Sequence, residues 1–395
     1  MKILLSNKFY YPRGGAEVYV INLESLLREH GHEVAVFSMQ HPQNLPSVYE
    51  KYFPKEVDFT CINLRNLFTY ILRPLGSKEV RDKFSCFVDE FCPDVVHLNN
   101  THSQLSPVIV EIAHKKGIKI VWTLHDYKLL CPRYDCLCRG KTICEKCFTD
   151  KKQVIKNRCM KDSLMASAIA YCEAVKWTRQ RLEKYTDTFI CPSRFMYNKM
   201  TQGGFDTQKL HALCNFVDVG KTKGAAYSGK EDYYCYIGRL SHEKGIETLL
   251  NAASQLPYKL KIVGDGPLRK DLEKRSSKQI EFAGYRQWTE IKEIVGEARF
   301  IVVPSEWYEN NPLSIIESLC LGTPVLGANI GGILEMIEEG KNGMLFESRN
   351  VEDLRDKIQK MFTLNFDYKS IAEAAQQQYS GENHYKELIK IYNKQ

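Results

Sequence analysis

The stretch YYCYIGRLSHEKGIETLL, residues 233–250, decides the fold class. An apolar run at 233–237 ends in a glycine, a polar loop follows, and apolar residues recur at helical spacing from Ile246. A buried strand joined to a helix in this way is the repeating unit of parallel α/β sheets, which bind ligands at the carboxyl ends of their strands. The loop therefore places Arg239 and Lys244 where two cations can hold one diphosphate. An ordinary solvated loop with surface charges would have the same composition.

The same alternation of strand and helix extends through both halves of the 395-residue chain, which is too long for one ordinary core. We predict an α/β protein with two Rossmann-like domains, each built on a parallel sheet. The first domain is placed at residues 1–215 and the second at 216–375, with a linker near 221–231. A helical tail at 376–395 is expected to cross back to the first domain. A segment at 129–160 breaks the alternation and is interpreted as a small insertion.

The composition is typical of a globular protein, with 44% hydrophobic residues, 26% charged residues and a net charge of +7. This mild positive excess does not predict nucleic-acid binding, but it suits anionic partners such as nucleotide diphosphates or an acidic membrane surface. The first residues lack the apolar core of an export signal, and no window reaches the about 18 apolar residues of a spanning helix. We therefore expect a cytoplasmic protein with mostly reduced cysteines.

A second motif, ENNPLSIIE at 309–317, is predicted to begin a helix, with Asn311 as its N-cap and Pro312 in its first turn. The free amide groups of such a helix start favour an anion. Glu309 precedes the helix and Glu317 lies about two turns inside it, so each carboxylate could accept hydrogen bonds from sugar or ribose hydroxyls. The alternative is an acidic residue favoured by the helix dipole together with an unrelated surface glutamate.

Weaker signals follow other strands. The turn Gly264–Pro267 is mainly structural, and Tyr285 ends a strand where backbone groups could meet a base. In the first half, Gly14 and Gly15 join a strand to a helix and would allow close approach of a phosphate, although a plain tight turn is the alternative. His125 also follows a strand, but a buried histidine is more often structural than functional.

In this order the motifs closely resemble family 4 glycosyltransferases, which are retaining enzymes with the GT-B fold of two facing Rossmann-like domains. The resemblance covers nearly the whole chain. Its most specific elements are the two glutamates Glu309 and Glu317, with seven residues between them, and the Gly-Arg-x3-Glu-Lys-Gly at 238–245. The family's other landmarks appear as Cys191–Ser193, Asn215–Asp218, Gly264–Pro267, Gly331-Gly332 with Glu335, and Asn342-Gly343.

The resemblance implies roles for individual residues. Arg239 and Lys244 would bind the donor's diphosphate, Glu309 the donor sugar and Glu317 the ribose, while His125 would lie beside the transferred sugar. The positions that match the family's reacting centre are His125, Arg239, Lys244 and Glu309. The positions that match its donor site are Gly14, Gly15, Gly238, Arg239, Lys244, Gly264, Tyr285, Asn311, Pro312, Leu313 and Glu317.

The implied activity is retaining transfer of a sugar from a nucleotide-diphosphate sugar, with a UDP-sugar favoured and a GDP-sugar possible. The implied acceptor is a glycan or a polyprenyl-diphosphate-linked saccharide, in the synthesis of bacterial capsule, O-antigen or exopolysaccharide. No Asp-x-Asp occurs in the chain, which agrees with transfer that requires no metal cofactor. The alternatives are a sugar-nucleotide epimerase or hydrolase of the same fold, or a non-catalytic sugar-nucleotide-binding protein. Asn310-Asn311 departs from the family, which more often has glycine with an aromatic residue or cysteine there.

Six cysteines crowd the insertion, and it resembles a subgroup of the family from bacterial surface-polysaccharide gene clusters. Four of them, Cys131, Cys144, Cys147 and Cys159, could supply thiolates for a structural zinc, with Cys136 and Cys138 as alternates. A set of reduced cysteines in a polar loop is the other interpretation.

Two further segments suit an anionic membrane. Residues 64–75 mix apolar side chains with Arg65 and Arg73, and a basic cluster follows the insertion. That cluster contains Lys151, Lys152, Lys156, Arg158 and Lys161. We hypothesise peripheral association with the inner face of the cytoplasmic membrane. An ordinary surface helix and a solvated loop would account for the same residues.

Overall fold

The computed structural model describes residues 1–59, 67–222 and 229–394. Residues 64–66 of the predicted amphipathic stretch, with Arg65, and 223–228 of the predicted linker lie outside the described residues. The chain divides into two compact units, one containing Met1–Cys214 with Tyr385–Gln395 and the other Asn215–His384. Each unit is built on a six-stranded parallel sheet, so the α/β prediction is confirmed.

The sheet of the first unit has the strand order β2-β1-β3-β4-β7-β8. Its strands, and the small β5–β6 hairpin of the insertion, are β1 (Lys2–Ser6), β2 (Glu33–Phe37), β3 (Val95–Leu98), β4 (Lys119–Thr123), β5 (Leu137–Cys138), β6 (Thr142–Ile143), β7 (Thr188–Cys191) and β8 (Leu210–Ala212). Its helices are α1 (Gly15–Glu29), α2 (Leu67–Leu72), α3 (Lys78–Phe91), α4 (Val108–Lys115), α5 (Gln153–Lys156), α6 (Leu164–Lys176), α7 (Arg179–Tyr185) and α8 (Arg194–Gln202).

The sheet of the second unit has the order β11-β10-β9-β12-β13-β14. Its strands are β9 (Tyr233–Ile237), β10 (Lys259–Val263), β11 (Ile280–Gly284), β12 (Ile301–Val303), β13 (Val325–Ala328) and β14 (Gly343–Phe346). The remaining helices are α9 (Ile246–Ala253), α10 (Arg269–Arg275), α11 (Trp288–Glu297), α12 (Leu313–Cys320), α13 (Val351–Thr363), α14 (Tyr368–Gln378) and α15 (Gly381–Asn393).

The inner strands of both sheets are mostly apolar because side chains on both faces are covered. Leu4, Val96 and Ile120 in the first unit, and Leu260 and Leu326 in the second, are fully buried. This is the pattern expected of parallel strands covered by helices on both sides. Because the strands are parallel, the polar loops that follow them lie at one edge of each sheet.

The chain ends in two helices, and residues from Tyr385 onward belong to the first unit. Tyr392 of α15 donates or accepts a hydrogen bond with Nδ1 of the fully buried His97 at 2.6 Å. The other ring nitrogen of His97 lies 2.7 Å from Thr123 Oγ1. Because buried polar groups are stable only when they are paired, these bonds fix α15 against the first sheet. Within the described residues, no helix is both long and apolar enough to span a membrane.

Candidate functional site

The loops that follow β9, β10 and β11 in the second unit are packed backbone to backbone. Gly264 has φ +134°, and a Cβ there would lie 1.9 Å from the carbonyl oxygen of Gly238. Only glycine allows this approach. The Leu240 amide also donates to Asp265 at 2.9 Å, and the Gly264 amide donates to Gly284 at 2.8 Å. The exposed Tyr285 therefore stands on the same edge as the Gly238 loop.

The loop after β12 joins this edge and holds a buried ion pair. Lys244 Nζ lies 2.6 Å from Oε1 of Glu309, a residue only 6% exposed, and Ser305 Oγ donates to the same oxygen at 2.7 Å. The ring of Trp307 lies 5.1 Å from Lys244 Nζ. Burial opposes ionisation of Glu309, but the charge of Lys244 and the hydrogen bonds outweigh it and lower the pKa of Glu309. The carboxylate is therefore charged and held in one orientation.

The loop after β13 fixes the backbone of Glu309 from the other side. The Gly332 amide donates to the Glu309 carbonyl at 2.7 Å. Gly331 has φ +63°, and a Cβ there would lie 2.4 Å from the same oxygen. The Gly331-Gly332 landmark in the sequence thus has a physical reason, since its close approach supports the carboxylate that pairs with Lys244.

Arg239 presents an exposed cation in the loop that also carries Lys244. Its carbonyl accepts a hydrogen bond from the Tyr236 hydroxyl at 2.8 Å, which anchors the backbone while the side chain remains exposed. Among the residues that the structure describes, no carboxylate pairs with the Arg239 guanidinium. This side chain can therefore bind an anionic ligand without first breaking an internal ion pair.

Glu317, on α12, has a different electrostatic environment from Glu309. Burial raises the pKa of Glu317 to about 7, and the charge of Lys221 opposes that shift only in part. The Glu317 carboxyl is consequently far easier to protonate than that of Glu309. A buried carboxyl of this kind has lost hydrogen bonds to water, and the hydroxyls of a ligand can replace those bonds.

The prediction that Asn311 caps α12 is wrong. The residue at the cap is Pro312, and α12 begins at Leu313 without a side-chain cap bond. The Asn311 Oδ1 instead accepts the Asn215 amide at 2.8 Å, while Asn215 Nδ2 donates to the Asn311 carbonyl at 2.8 Å. The side chain of Asn311 is thus used to hold the first residues of the second unit.

The first unit carries the other candidate residues. His125 lies just after β4, where its Nε2 is 2.9 Å from Asn99 Oδ1 and its ring contacts Tyr19 edge-on at 4.9 Å. Burial, with a smaller contribution from the charge of Lys8, lowers the pKa of His125 to about 3, so the ring is neutral near pH 7. Gly14 and Gly15 are exposed at the start of α1.

The zinc prediction for the insertion is not supported. The thiols that hydrogen-bond to Cys131 are those of Cys136 and Cys147, and these bonds lower the pKa of Cys131 well below its usual range. Cys147 and Cys159 belong to a small core with Val154 and Ala170, whereas Cys144 is half-buried. Across the described ranges, no group of three or more His, Cys, Asp or Glu side chains is arranged to hold a metal, including the predicted Cys131, Cys144, Cys147 and Cys159. Cys136 and Cys147 thus hydrogen-bond to Cys131, while Cys147 and Cys159 pack against apolar side chains.

The sequence did not single out Ser305 and Trp307, which contact the ion pair. Both stand directly after β12, at the edge where the ligand-binding loops of parallel sheets lie. That position is the signal that could have identified them.

Comparison with known proteins assigns the family. A model for group 1 glycosyl transferases matches residues 222–378, and the model for Glycosyltransferase Family 4 matches residues 13–221. An uncharacterised glycosyltransferase of Methanocaldococcus jannaschii is 28% identical over 44% of this chain and 49% of its own length, so that match spans about half of the relative. An uncharacterised 42.6 kDa protein in the cps region of Klebsiella pneumoniae is 26% identical over 85% of this chain and 87% of its own.

Among solved structures, Anabaena HepE in complex with UDP matches with a TM-score of 0.69 at 18% identity, and the match covers 99% of both chains. This likeness concerns the fold, which agrees with the two six-stranded parallel sheets. The family 4 model alone covers more than half of this chain. The chain therefore belongs to glycosyltransferase family 4 and has the GT-B fold.

Proposed function

We propose that the chain is a retaining glycosyltransferase that uses a nucleotide-diphosphate sugar, with a UDP-sugar as the favoured donor and a GDP-sugar as the alternative. Its acceptor is a glycan or a lipid-linked saccharide of a bacterial surface polysaccharide. The family assignment supports transferase activity. The cps-region relative supports the pathway class, and the UDP complex of HepE supports the donor class.

The observation that carries the proposal is the Lys244–Glu309 ion pair at the carboxyl edge of the second sheet, with the exposed Arg239 in the same loop as Lys244. In this proposal Arg239 and Lys244 bind the diphosphate, Glu309 orients the donor sugar and Glu317 accepts hydrogen bonds from the ribose. The backbone around Gly238, Gly264, Tyr285 and 311–313 lines the donor, with the amide of Leu313 available because Pro312 has none.

The chemistry follows from charge. As the bond to the sugar breaks, negative charge grows on the leaving diphosphate, and two fixed cations stabilise it more than they stabilise the ground state. We assign retention to attack on the same face from which the diphosphate leaves, with a donor phosphate oxygen accepting the acceptor's proton. His125 is neutral near pH 7, so its proposed role beside the transferred sugar is to hydrogen-bond rather than to donate a proton. Gly14 and Gly15 are assigned to the phosphates, and no metal is required.

Acceptor binding is assigned to the first unit, with peripheral attachment to the inner face of the cytoplasmic membrane. Phe68 is 79% exposed and Leu72 52% on α2, while Leu164 is 55% and Met165 46% exposed on α6. Lys161 Nζ donates to the Phe59 carbonyl at 3.0 Å, which links the start of α6 to the segment that precedes α2. Exposed apolar side chains with nearby lysines suit an anionic bilayer.

One predicted member of the basic cluster does not belong to this surface. The ammonium of Lys151 donates to the carbonyls of Leu129 and Leu130 and is turned inward. Lys152, Lys156, Arg158 and Lys161 remain exposed. Wild type should co-sediment with vesicles of phosphatidylglycerol and phosphatidylcholine at low salt, and Phe68→Ala should reduce the bound fraction. Equal sedimentation of wild type with pure phosphatidylcholine vesicles would contradict the electrostatic contribution.

The enzymatic proposal is tested by a thermal-shift screen of UDP- and GDP-sugars, followed by turnover of the best donor with lipid-diphosphate-linked saccharides. At least one donor should stabilise the protein, and Arg239→Ala should abolish most of that shift. Arg355→Ala is the matched control, since Arg355 is a partly exposed arginine on α13 with an adjacent Asp356 partner. The proposal fails if no nucleotide sugar stabilises the wild-type protein.

A further inference from the structure

A second group of polar side chains lies on the ligand-binding edge of the first sheet, and neither the family assignment nor the donor site explains it. Lys8 follows β1, Asn99, Thr101 and His102 follow β3, and Asp126 follows β4. These five residues, called here the edge cluster, come from three adjacent strands of the order β1-β3-β4. They therefore share one face of the first unit.

The cluster contains buried hydrogen-bonding atoms without partners. Asn99 and Thr101 are fully buried, and among the described residues neither Asn99 Nδ2 nor Thr101 Oγ1 has a hydrogen-bond partner. Asn99 Oδ1 is occupied by His125 Nε2 at 2.9 Å, so the amide is fixed against the neighbouring loop. Buried polar atoms are nearly always satisfied in folded proteins, so a polar group such as a bound water or a ligand is expected next to these two.

His102 and Asp126 are spaced for a bridging group. His102 Nε2 and Asp126 Oδ1 are 4.0 Å apart, with side-chain exposures of 11% and 18%. This distance is too long for a direct hydrogen bond, but a hydroxyl oxygen between the two atoms can bond to both. The His102 ring is stacked on Trp122 at 5.2 Å, which keeps it in place.

The charges of the cluster favour a neutral, hydroxyl-rich ligand. Burial lowers the pKa of His102 well below its usual range, so the ring is uncharged near pH 7. Burial raises the pKa of Asp126, while Lys8 and Lys128 act against that shift. One carboxyl, one amide and one neutral imidazole offer donors and acceptors in close proximity, and the charge of Lys8 is balanced locally by Asp126.

The two loops that carry His102 and Asp126 are tied together by Glu173, which is almost completely buried. Its carboxylate accepts the amide of Ser103 at 2.9 Å and lies 2.9 Å from Lys128 Nζ. Ser103 follows His102 directly, and Lys128 also donates its backbone amide to Asp126 Oδ1 at 2.9 Å. The spacing of the cluster is thus set before any ligand binds, as a binding site requires.

We propose that the edge cluster is a saccharide subsite for the acceptor, in which Asp126 and His102 bind one hydroxyl of the acceptor sugar between them. This inference rests on the proposed function and names residues that select and orient the acceptor. Asn99 Nδ2 and Thr101 Oγ1 are closed to solvent in this structure and are assigned no direct contact with the acceptor. A competing assignment, that Lys8 and its neighbours bind the donor's diphosphate, is an outcome of the test.

The probes are a panel of p-nitrophenyl glycosides of glucose, galactose, mannose and N-acetylglucosamine, with UDP or GDP present. Saturation-transfer NMR reports glycoside binding, and calorimetry reports nucleotide binding. At least one glycoside should bind the wild type, and Asp126→Asn should weaken it by about tenfold or more while leaving nucleotide affinity unchanged. Asparagine keeps the bond from the Lys128 amide, so this variant should fold, and His102→Gln should give the same result.

The matched control is Asp82→Asn, because Asp82 is an exposed aspartate on α3 of the same unit. It should change neither measurement. The inference is overturned if no glycoside binds wild-type protein that does bind nucleotide, or if glycoside binding survives in Asp126→Asn. A loss of nucleotide affinity in Asp126→Asn would assign the cluster to the donor instead. If neither nucleotide binds the wild type, the proposed function itself has failed, which is a separate result.

Discussion

Replacing Lys244 by methionine should destabilise the protein through Glu309 rather than through any loss of packing. The variant leaves the Glu309 carboxylate, 8% exposed, with Ser305 but without its cation. Removing one partner of a buried ion pair costs about 3–5 kcal/mol. Because the Lys244 side chain is 26% exposed, water can replace part of its contribution, and we expect about 2–3 kcal/mol. For a unit the size of Asn215–His384 this corresponds to a fall in Tm of about 4–12 °C.

Differential scanning calorimetry of the unliganded protein tests this with Lys244→Met, Glu309→Gln and the double variant. The double variant removes both charges, so it should be more stable than Lys244→Met by about 1–2 kcal/mol, although transfer stays abolished in all three. The lowered pKa of Glu309 fixes the pH dependence. The stabilisation that comes from the charged Glu309 carboxylate is complete above the unfolded-state pKa and is lost as pH falls through the folded-state pKa. The Tm values of wild type and Lys244→Met should therefore converge at acidic pH. A Tm unchanged within about 1 °C in Lys244→Met, or no recovery in the double variant, would refute the ion pair as a stabilising contact.

Three further outcomes are expected. Because the pKa of Glu317 is raised to about 7, the folded state holds more protons there than the unfolded state, and stability falls as pH rises from about 4.5 to 7. Glu317→Gln should therefore raise the Tm of the unliganded protein at pH 8 but not at pH 4, while weakening nucleotide binding in calorimetry; equal Tm differences at both pH values would exclude this. Gly331→Ala, whose Cβ would meet Glu309 O at 2.4 Å, should lower Tm more than Gly340→Ala, which has φ +78° and no atom within 4 Å, and equal losses would show that the contact is unimportant. Transfer should be unchanged by EDTA, and a loss of rate restored by Mg²⁺ would contradict the proposed metal-independent chemistry.

Much of the second unit could be predicted from the sequence because several of its strands are mainly apolar. The predicted strand at 233–237 is confirmed without change as β9. In the first unit, no sequence pattern predicts β8, which has only three residues, Leu210–Ala212, at the edge of its sheet. Short edge strands carry too few apolar positions to show periodicity.

The candidate donor site could be predicted only in part. The loops were located because glycines and charged residues follow strands, and Gly264 and Gly331 now have a steric reason. The pairing of Lys244 with Glu309 could not be predicted, since these residues are 65 positions apart and the contact depends on how the two loops pack. The prediction that Asn311 caps α12 was wrong for a related reason. The hydrogen bonds that Asn311 makes with Asn215 replace the local capping interaction.

The cysteines of the insertion show the limit of spacing arguments. A Cys-x2-Cys pair with flanking cysteines forms a zinc site only when the fold brings all four thiols together around one metal ion. Here the Cys131 thiol forms hydrogen bonds with those of Cys136 and Cys147, while Cys147 and Cys159 pack into an apolar core. Tyr134 and Cys136 also have positive φ angles, and the spacing of the cysteines does not reveal these local turns of the backbone.

The most direct test of the central claim is a calorimetric titration of UDP and GDP into the wild-type protein and its Arg239→Ala variant. The guanidinium of Arg239 is exposed and, within the described parts of the chain, has no carboxylate partner, so its contribution to binding is not offset by a broken ion pair. A charge-assisted hydrogen bond of about 1.5–3 kcal/mol corresponds to an affinity lowered by about tenfold to a hundredfold. We predict that one nucleotide binds wild type and that Arg239→Ala weakens it by this amount. Absence of binding by both nucleotides, or equal affinity in the variant, would contradict the assignment of the donor site.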